Sequence, residues 1–283
     1  MPRLRLVGGE LDGLDLHYVT AGHGPATVLI HGLGGFAESW RHTMATLAQH
    51  GTVIAFDLPG FGQSAKPRRP YGLMFFADVV EALVRALDLG RIRLVGHSLG
   101  SAIAAAYALG TPGRVERLAL LSPIVPGFPV RPSLVYRLMT WPGMGELTAR
   151  LITPRICAAA LERCFFAPDP SEVEFLVSHE YSVRTSRDGR AAYLATLRSA
   201  RRDFTDGAAA YRAALAQWTR PALVIHGHQD RVVPIAHARA LVRGLPRAEA
   251  RFIERCGHFP QIEHAASVNE RLGEFLFAGA TGR

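Results

Sequence analysis

Apolar positions near the start of the chain alternate with polar ones, as in half-buried strands. Leucines stand between arginines over residues 3–6, and the same alternation returns over residues 14–18 after a turn signal at residues 12–13. This pattern predicts an antiparallel hairpin. Residues 27–30 follow as a short apolar run between glycine-containing turns, which predicts a strand buried on both faces.

Strand-like apolar runs then alternate with segments of helical periodicity up to residue 122, and this alternation resumes after residue 217. Such alternation implies right-handed crossovers between parallel strands. It predicts the α/β class, with a doubly wound and mostly parallel sheet covered by helices. Further strands are expected at residues 53–56, 92–95, 118–121, 222–225 and 250–253, and helices at residues 40–48, 76–87, from 99, 235–242 and 268–276.

The rhythm changes in the middle of the chain. Four prolines punctuate residues 126–142, and the stretch that follows shows helical periodicity without a convincing strand. We therefore expect a helical cap, or lid, at residues 123–216, inserted into an α/β core formed by residues 1–122 and 217–283. Because the insertion leaves one core strand and leads to the next, it should lie over the carboxyl edge of the sheet and set the choice of substrate.

Composition and charge exclude several classes of function. The chain has 283 residues, of which 48% are hydrophobic, so it can bury a large core and is neither disordered nor a coiled coil. The net charge is +8, but the arginines are interleaved with acidic residues, so we expect no nucleic-acid partner. No apolar run could span a bilayer or serve as a signal peptide, which predicts a cytoplasmic protein without a stable membrane anchor.

The first chemical motif is Gly96-His97-Ser98-Leu99-Gly100, which matches G-x-S-x-G between a predicted strand and a predicted helix. A serine on so tight a turn needs small residues two positions away on either side, because larger side chains would collide with the strand or the helix. Gly96 and Gly100 meet that need, and His97 is a further supporting residue. Ser98 is therefore the expected nucleophile.

A serine hydroxyl is barely ionised at neutral pH, so it needs a base that an acceptor holds in the right tautomer. His258 lies in a loop after the last predicted strand, and Asp230 lies in a loop after the preceding strand. Loops that follow parallel strands gather at the carboxyl edge of the sheet, beside the serine. We therefore expect Ser98, Asp230 and His258 to form a catalytic triad, in the chain order typical of this architecture.

The backbone N–H groups of Leu33 and Leu99 are expected to hold the oxyanion that develops during attack. Leu99 follows the nucleophile, and Leu33 lies in a glycine-rich loop after an early strand. His31, Gly32 and Gly34 should support this loop, since glycine permits close approach of the backbone. The loop matches neither of the glycine-rich patterns that bind phosphate.

A metal site and a disulfide framework are the weaker interpretations. His226-x-His228-x-Asp230 resembles the opening of the metallo-β-lactamase ligand motif, but Arg231 stands where the next histidine belongs. The three cysteines fit neither a disulfide framework nor zinc spacing. We therefore expect no metal.

Together these motifs resemble those of the α/β-hydrolase superfamily over nearly the full length of the chain. The resemblance implies a core sheet of about eight strands interrupted by a helical cap, with no metal or organic cofactor. It also implies that residues 57–64, a hallmark of that superfamily, form a loop and are not catalysts. The matching segments are Gly22-His23-Gly24-Pro25, His31-Gly32 with Trp40, residues 57–64, residues 96–100, Asp230 with Pro234, and Gly257-His258-Phe259.

Departures from known subfamilies narrow the chemistry. Haloalkane dehalogenases and epoxide hydrolases have an aspartate at the position of Ser98. Carbon–carbon hydrolases of aromatic degradation usually have asparagine before the serine and tryptophan after the histidine, whereas this chain has His97 and Phe259. It is more similar to carboxylesterases, lactonases and monoacylglycerol lipase-like enzymes. We therefore expect a serine hydrolase that cleaves a carboxylic ester or lactone of a hydrophobic small molecule through an acyl-enzyme intermediate.

Three alternatives stay open at this point: a carbon–carbon bond hydrolase of a vinylogous diketone, an acyltransferase, and a hydrolase-fold receptor without turnover. The protein is expected to be a monomer or a homodimer. Aromatic residues of the insertion should mix core packing with pocket lining. The residues expected to line the substrate pocket are Phe36, Phe165, Phe166, Phe175 and Phe259.

Overall fold

The computed structural model describes residues 3–128 and 134–278 of the chain. Eight strands of this part form a single sheet. They are β1 (Arg3–Arg5), β2 (Asp15–Ala21), β3 (Ala26–Ile30), β4 (Thr52–Phe56), β5 (Ile92–His97), β6 (Val115–Leu121), β7 (Ala222–Gly227) and β8 (Ala248–Ile253).

The order of strands across the sheet is β1-β2-β4-β3-β5-β6-β7-β8. β1 pairs with β2 in the predicted antiparallel hairpin, with Leu4 opposite Leu16, and β2 pairs antiparallel with β4. The strands from β3 to β8 run parallel to one another. The predicted eight-stranded and mostly parallel sheet is therefore confirmed.

Helices cover both faces of the sheet. None of the described helices is long and apolar enough to cross a membrane. The helices are α1 (Arg41–Leu47), α2 (Leu73–Ala86), α3 (Leu99–Gly110), α4 (Leu134–Met139), α5 (Met144–Arg150), α6 (Pro154–Glu162), α7 (Pro170–Thr185), α8 (Arg187–Asp206), α9 (Ala208–Ala216), α10 (Ile235–Gly244), α11 (Pro260–Glu263) and α12 (Ala265–Phe277).

Successive residues of a central strand pack into two different apolar clusters. Val28 and Ile30 of β3 belong to the cluster that includes α2 and α3, whereas Leu29 belongs to the cluster of α1 and α12. Because both faces of β3 are covered, all five of its residues are buried and its apolar residues do not alternate with charged ones. The core of the molecule therefore lies in two layers, one on each side of the sheet.

Helices α4 to α9 lie between β6 and β7 in the chain, and no strand interrupts the described residues of this segment. Two hydrogen bonds tie its last helices to the core. The Leu73 N–H donates to Asp203 Oδ2 at 2.9 Å, and the Tyr211 hydroxyl donates to the Ala102 carbonyl at 2.9 Å. The inserted helices thus rest on α2 and α3.

The start of the insertion is only partly described. Pro126 and Pro142 lie in turns, whereas Pro129 and Pro132 lie outside the described residues. The helical periodicity that the sequence shows after these prolines corresponds to α4 and the helices that follow it.

Candidate active site

Ser98 occupies the turn between β5 and α3, where its backbone adopts φ 53° and ψ −120°. Residues other than glycine rarely adopt a positive φ, and such strain costs on the order of 1–3 kcal/mol. The Ser98 N–H donates to Leu121 O at 2.9 Å, and the Ser98 carbonyl accepts from the Ser101 N–H at 2.9 Å. These two hydrogen bonds hold the serine on a strained strand-to-helix turn.

Close packing of the backbone explains the two glycines that flank this turn. A Cβ on Gly96 would lie 2.3 Å from the carbonyl oxygen of Gly100, and a Cβ on Gly100 would lie 2.3 Å from that of Ile30. Both distances are far shorter than van der Waals contact. A side chain at position 96 would therefore collide with α3, and a side chain at position 100 would collide with β3.

Three side chains from separate loops meet at the carboxyl edge of the sheet. The Ser98 hydroxyl lies 2.9 Å from His258 Nε2, and His258 Nδ1 lies 2.7 Å from Asp230 Oδ2. In this arrangement the His258 Nδ1–H donates to the carboxylate, which leaves Nε2 free to accept the serine proton. The structure therefore brings together the three residues that the sequence singled out.

Backbone donors and buried histidines surround the carboxylate of Asp230. Its Oδ1 accepts from the N–H groups of Val232 and Val233 at 2.8 and 2.9 Å. Burial alone would raise the pKa of Asp230, but His258 and these hydrogen bonds hold it below its ordinary value, so the group stays ionised. His226 Nε2 donates to Val233 O at 2.9 Å and lies 3.5 Å from Asp230 Oδ2. Burial lowers the pKa of His226 to about 4, so it adds no charge at neutral pH.

The glycine-rich loop after β3 lies directly beside the serine. A Cβ on Gly32 would lie 3.0 Å from the Ser98 Cβ. His31 fixes this loop, since its Nδ1–H donates to Gly32 O at 2.7 Å and its Nε2 accepts from the Leu58 N–H at 2.9 Å. Burial lowers the pKa of His31 to about 4, which keeps Nε2 available as an acceptor. The backbone of Leu33 is thus held against the turn that carries Ser98.

The second predicted oxyanion donor is at the start of a helix. Leu99 is the first residue of α3, so its N–H has no acceptor within that helix. Leu33, from the opposite loop, lines the same cavity as Ser98. Leu99 is thus adjacent to the serine in the chain and Leu33 lines the same cavity, and the oxyanion site formed by their N–H groups stays a prediction.

His97 connects the turn that carries Ser98 to the loop after β8 that carries His258, which we call the histidine loop. Its Nε2–H donates to the carbonyl oxygen of His258 at 2.7 Å, and its ring stacks on Phe259 with centroids 5.1 Å apart. Burial lowers the pKa of His97 to about 3, so this side chain stays neutral. It therefore holds the backbone of His258 in place without adding charge beside it.

A cavity of about 120 Å³ opens onto Ser98 and His258. Of the five phenylalanines expected in the pocket, Phe36 and Phe259 line it. The prediction is wrong for the other three, Phe165, Phe166 and Phe175, which are not among its lining residues.

The three phenylalanines outside the cavity pack elsewhere in the inserted helices. Phe165 stacks behind Phe259 with centroids 4.9 Å apart and is almost fully buried. Phe175 packs on Phe36 and lies under the Arg41 guanidinium. The Arg255 guanidinium lies over the ring of Phe166. Each of the three rings therefore packs against another side chain of the protein.

The cavity is more polar than the sequence predicted. Glu180 and Arg184 of α7 line it together with Tyr193 of α8. Sequence reasoning missed them, although a signal was present. Val173 and Leu176 begin the buried face of α7, and Glu180 and Arg184 continue it at helical spacing. Charged residues that continue an apolar stripe are candidates for a buried polar site.

The histidine loop is fastened to the inserted helices. The His258 N–H donates to Cys164 O at 2.6 Å, and the Glu263 carboxylate accepts from the N–H groups of Gly257 and Phe166 at 2.8 and 2.7 Å. A Cβ on Gly257 would lie 2.3 Å from Cys164 O, so glycine is required there. The position of His258 therefore depends on the segment around residues 164–166.

The side chains of the His226-x-His228-x-Asp230 motif do not converge on one point. His228 pairs with the exposed Glu254, with Nδ1 and Oε1 3.1 Å apart, whereas His226 lies beside Asp230. Across residues 3–128 and 134–278, no three His, Cys, Asp or Glu side chains converge as metal ligands do. The three cysteines are free thiols.

Comparison with known proteins adds a family and several relatives. A family model described as the α/β-hydrolase fold matches residues 25–265. The 2-hydroxymuconate semialdehyde hydrolase of Pseudomonas sp. strain CF600 is 30% identical over 268 residues, which cover 93% of this chain and 91% of that protein. The structure of 2-hydroxy-6-oxo-6-phenylhexa-2,4-dienoate hydrolase from Rhodococcus sp. strain RHA1 matches with a TM-score of 0.80 at 26% identity, covering 94% of this chain and 95% of that one. An N-acyl homoserine lactone degrading enzyme matches with a TM-score of 0.76 at 26% identity, covering 97% and 100%.

Proposed function

The chain belongs to the α/β-hydrolase family, and we propose that it is a serine hydrolase that cleaves a carboxylic ester or lactone of a small molecule. The observation that carries this proposal is the unbroken hydrogen-bonded series from Ser98 through His258 to Asp230. A serine on a strained turn, a base in reach and an ionised acceptor are the parts that acyl transfer needs.

The first half of the reaction forms an acyl-enzyme. Ser98 Oγ attacks the substrate carbonyl carbon while His258 Nε2 takes the hydroxyl proton. Negative charge moves to the carbonyl oxygen, where the N–H groups of Leu33 and Leu99 receive it. When the tetrahedral intermediate collapses, the bond to the leaving oxygen breaks and His258 returns the proton to that oxygen. Asp230 stabilises the imidazolium between these steps.

The second half releases the acid. A water molecule gives its proton to His258 Nε2 and attacks the acyl carbon, and the same N–H groups receive the second oxyanion. Collapse returns the proton to Ser98 Oγ and frees the carboxylic acid. Apart from water, no further reactant enters this cycle. We propose that residues 123–216 act as a cap that keeps bulk water from the cavity during the first half.

A carbon–carbon bond hydrolase is the second candidate. It is favoured by likeness to the 2-hydroxymuconate semialdehyde hydrolase, whose length this chain covers almost completely. His97 and Phe259, the residues beside the serine and the histidine, favour the ester hydrolase. Turnover of a vinylogous diketone and of p-nitrophenyl butyrate, measured on the same preparation, separates the two. A kcat/KM that is higher for the diketone by a factor of about ten or more would favour the second candidate.

The proposal as a whole is tested by covalent labelling. A fluorophosphonate should react with Ser98 and block turnover, and peptide mass spectrometry should find the label there and not on Ser39, which lines the same cavity. Ser98→Ala should abolish both labelling and hydrolysis, whereas Ser178→Ala, at an exposed serine of α7, should change neither. Undiminished hydrolysis by Ser98→Ala would overturn the proposal.

A further inference from the structure

We propose that Glu180 and Arg184 form a specificity site that selects an uncharged substrate carrying a second hydrogen-bond acceptor, such as a ketone or amide carbonyl, in the group that fills the cavity. The inference rests on the proposed hydrolase and names its class of substrate. The site selects against plain alkyl chains and against chains that end in a carboxylate.

The two side chains form an ion pair inside the cavity. Arg184 Nη1 donates to Glu180 Oε1 at 2.8 Å, and the side chains are only 13% and 12% exposed. The Arg184 guanidinium also lies 4.3 Å from the ring centroid of Tyr193. Both members of the pair line the same cavity as Ser98 and His258. A substrate group bound there therefore meets this pair directly.

The pair is built against the loop that carries the oxyanion donor. A Cβ on Gly34 would lie 2.7 Å from Glu180 Oε1, and Gly34 has a φ of 78°, so the carboxylate occupies space that only glycine leaves open. Burial raises the pKa of Glu180, while Arg184 opposes this rise. An unpaired carboxylate here would repel the developing oxyanion, so Arg184 also neutralises a charge close to the reaction.

One donor of the pair has no partner. The Arg184 Nε is buried and makes no hydrogen bond to any described residue. A buried donor without an acceptor is costly, and such groups are rare in native proteins. Because the rest of the Arg184 side chain lines the cavity, an acceptor atom of a bound substrate would add a hydrogen bond to the guanidinium, whereas an alkyl chain would cover the guanidinium without offering an acceptor.

Charge decides against an anionic substrate. Glu180 and Arg184 together carry no net charge, so a substrate carboxylate would add an uncompensated negative charge to a buried cavity lined by His258, whose Nδ1 already pairs with the ionised Asp230. Burying such a charge is costly. A neutral carbonyl group can accept a hydrogen bond from the Arg184 guanidinium without that cost.

The test uses matched esters that differ only at one carbon. For the acid side these are p-nitrophenyl hexanoate and its 4-oxo and 5-oxo analogues, with mono-p-nitrophenyl adipate as the anionic member. For the alcohol side they are alkyl acetates with and without a ketone in the chain. In at least one series the wild type should prefer a ketone over its alkyl partner by about tenfold or more in kcat/KM, the size of a hydrogen bond to a charged donor.

Variants of the pair should change these ratios in different directions. Glu180→Gln leaves an unbalanced cation, so the adipate ester should gain about tenfold relative to the hexanoate ester. Replacing both residues, as Glu180→Gln with Arg184→Met, should bring the ketone-to-alkyl ratio close to one. Glu146→Gln is the matched control, because Glu146 pairs with Arg198 on the inserted helices but does not line the cavity. Its ratios should equal those of the wild type.

Binding measurements distinguish a failure of the proposed specificity site from a failure of the proposed hydrolase activity. Calorimetric Kd values of the same esters with Ser98→Ala protein report the selection without any chemistry. A tenfold preference for a ketone that the double variant abolishes would support the site even if the wild type hydrolysed none of the esters. Equal Kd values for ketone and alkyl esters in both series, or a preference that the double variant keeps, would overturn it.

Discussion

His97 donates a hydrogen bond from Nε2 to the backbone carbonyl oxygen of His258 over 2.7 Å. The residue before the proposed nucleophile thus holds the backbone of the proposed base. The bond is buried, and the His97 ring is further fixed by its stack on Phe259. The segments that carry Ser98 and His258, which are 160 residues apart in the chain, are therefore joined beside the atoms proposed to react.

The role of His97 as a positioning residue predicts a loss in kcat more than in KM. His97→Phe keeps an aromatic ring but removes the donor, so the His258 carbonyl loses its partner. We expect kcat to fall about tenfold, equivalent to ~1.4 kcal/mol, the usual size of one lost hydrogen bond. His97→Asn, which retains an N–H donor, should recover part of the rate. Equal kcat values for wild type and His97→Phe in steady-state kinetics would contradict the role.

Replacement of Asp230 by Asn should damage catalysis far more. The amide keeps the shape of the carboxylate but loses its charge, and it favours the wrong tautomer of His258. In the well-known serine-protease case such a change lowers kcat on the order of 10⁴-fold, and we expect a loss of at least about a hundredfold here. Asp206→Asn, at an exposed carboxylate at the end of α8, is the control and should retain full activity. The acid assignment fails if Asp230→Asn keeps more than about a tenth of the wild-type kcat.

Two glycines of α3 should respond differently to the same substitution. Gly100→Ala places a methyl group 2.3 Å from Ile30 O, so we expect the free energy of unfolding to fall by about 3 kcal/mol. A Cβ at Gly110, in the last position of the same helix, meets no atom within 4 Å. Gly110→Ala should therefore be neutral or stabilise by up to about 1 kcal/mol. Urea unfolding of both variants measures this, and equal midpoints would show that the turn that carries Ser98 is not tightly packed.

Three buried histidines predict a loss of stability in mild acid. Burial lowers the pKa values of His31, His97 and His226 to about 4, 3 and 4, against about 6.5 in an unfolded chain. Below about pH 6.5 the unfolded chain binds more protons than the folded one. The free energy of unfolding should then decrease as the pH falls toward 4, by up to about 1.4 kcal/mol per pH unit for each histidine. Above about pH 7 these groups should have no effect.

Urea unfolding at pH 7.5, 6.0 and 5.0 measures this slope. His226→Gln should remove about one histidine's share of it, whereas His23→Gln, at an exposed position, should leave it unchanged. A midpoint that stays constant between pH 6.5 and 5 would show that the three imidazoles are not held neutral by burial.

The sequence was sufficient to predict the features that depend on local pattern. Gly96 and Gly100 mark the serine turn because backbone collisions at those positions exclude every side chain. Asp230 and His258 could be found because loops after parallel strands share one edge of the sheet. Each of these residues could be placed from the short sequence around it together with the order of strands and helices along the chain.

The lining of the cavity could not be predicted in the same way. Phe165 and Phe259 are equally apolar, yet only Phe259 reaches the cavity, because Phe165 stacks behind it. Which ring is in front depends on how α6 and α7 pack on the histidine loop, and that packing is a property of the tertiary structure. Glu180 and Arg184 were overlooked for a related reason, since charged residues on a helix are usually exposed to solvent.

The hydrogen bonds between residues 164–166 and the histidine loop restrict how the inserted helices can move. Because Cys164 O holds the His258 N–H, a swing of this segment away from the sheet would carry the base away from Ser98. We therefore expect substrate and product to pass beside α4, where Tyr136 lines the cavity and is also 37% exposed. If α4 moves to admit them, the distance between Ser98 and His258 should stay fixed, because the His258 N–H donates to Cys164 O and not to α4. Substitutions in α4 should then change the rates of substrate entry and product release without changing the geometry of bond cleavage.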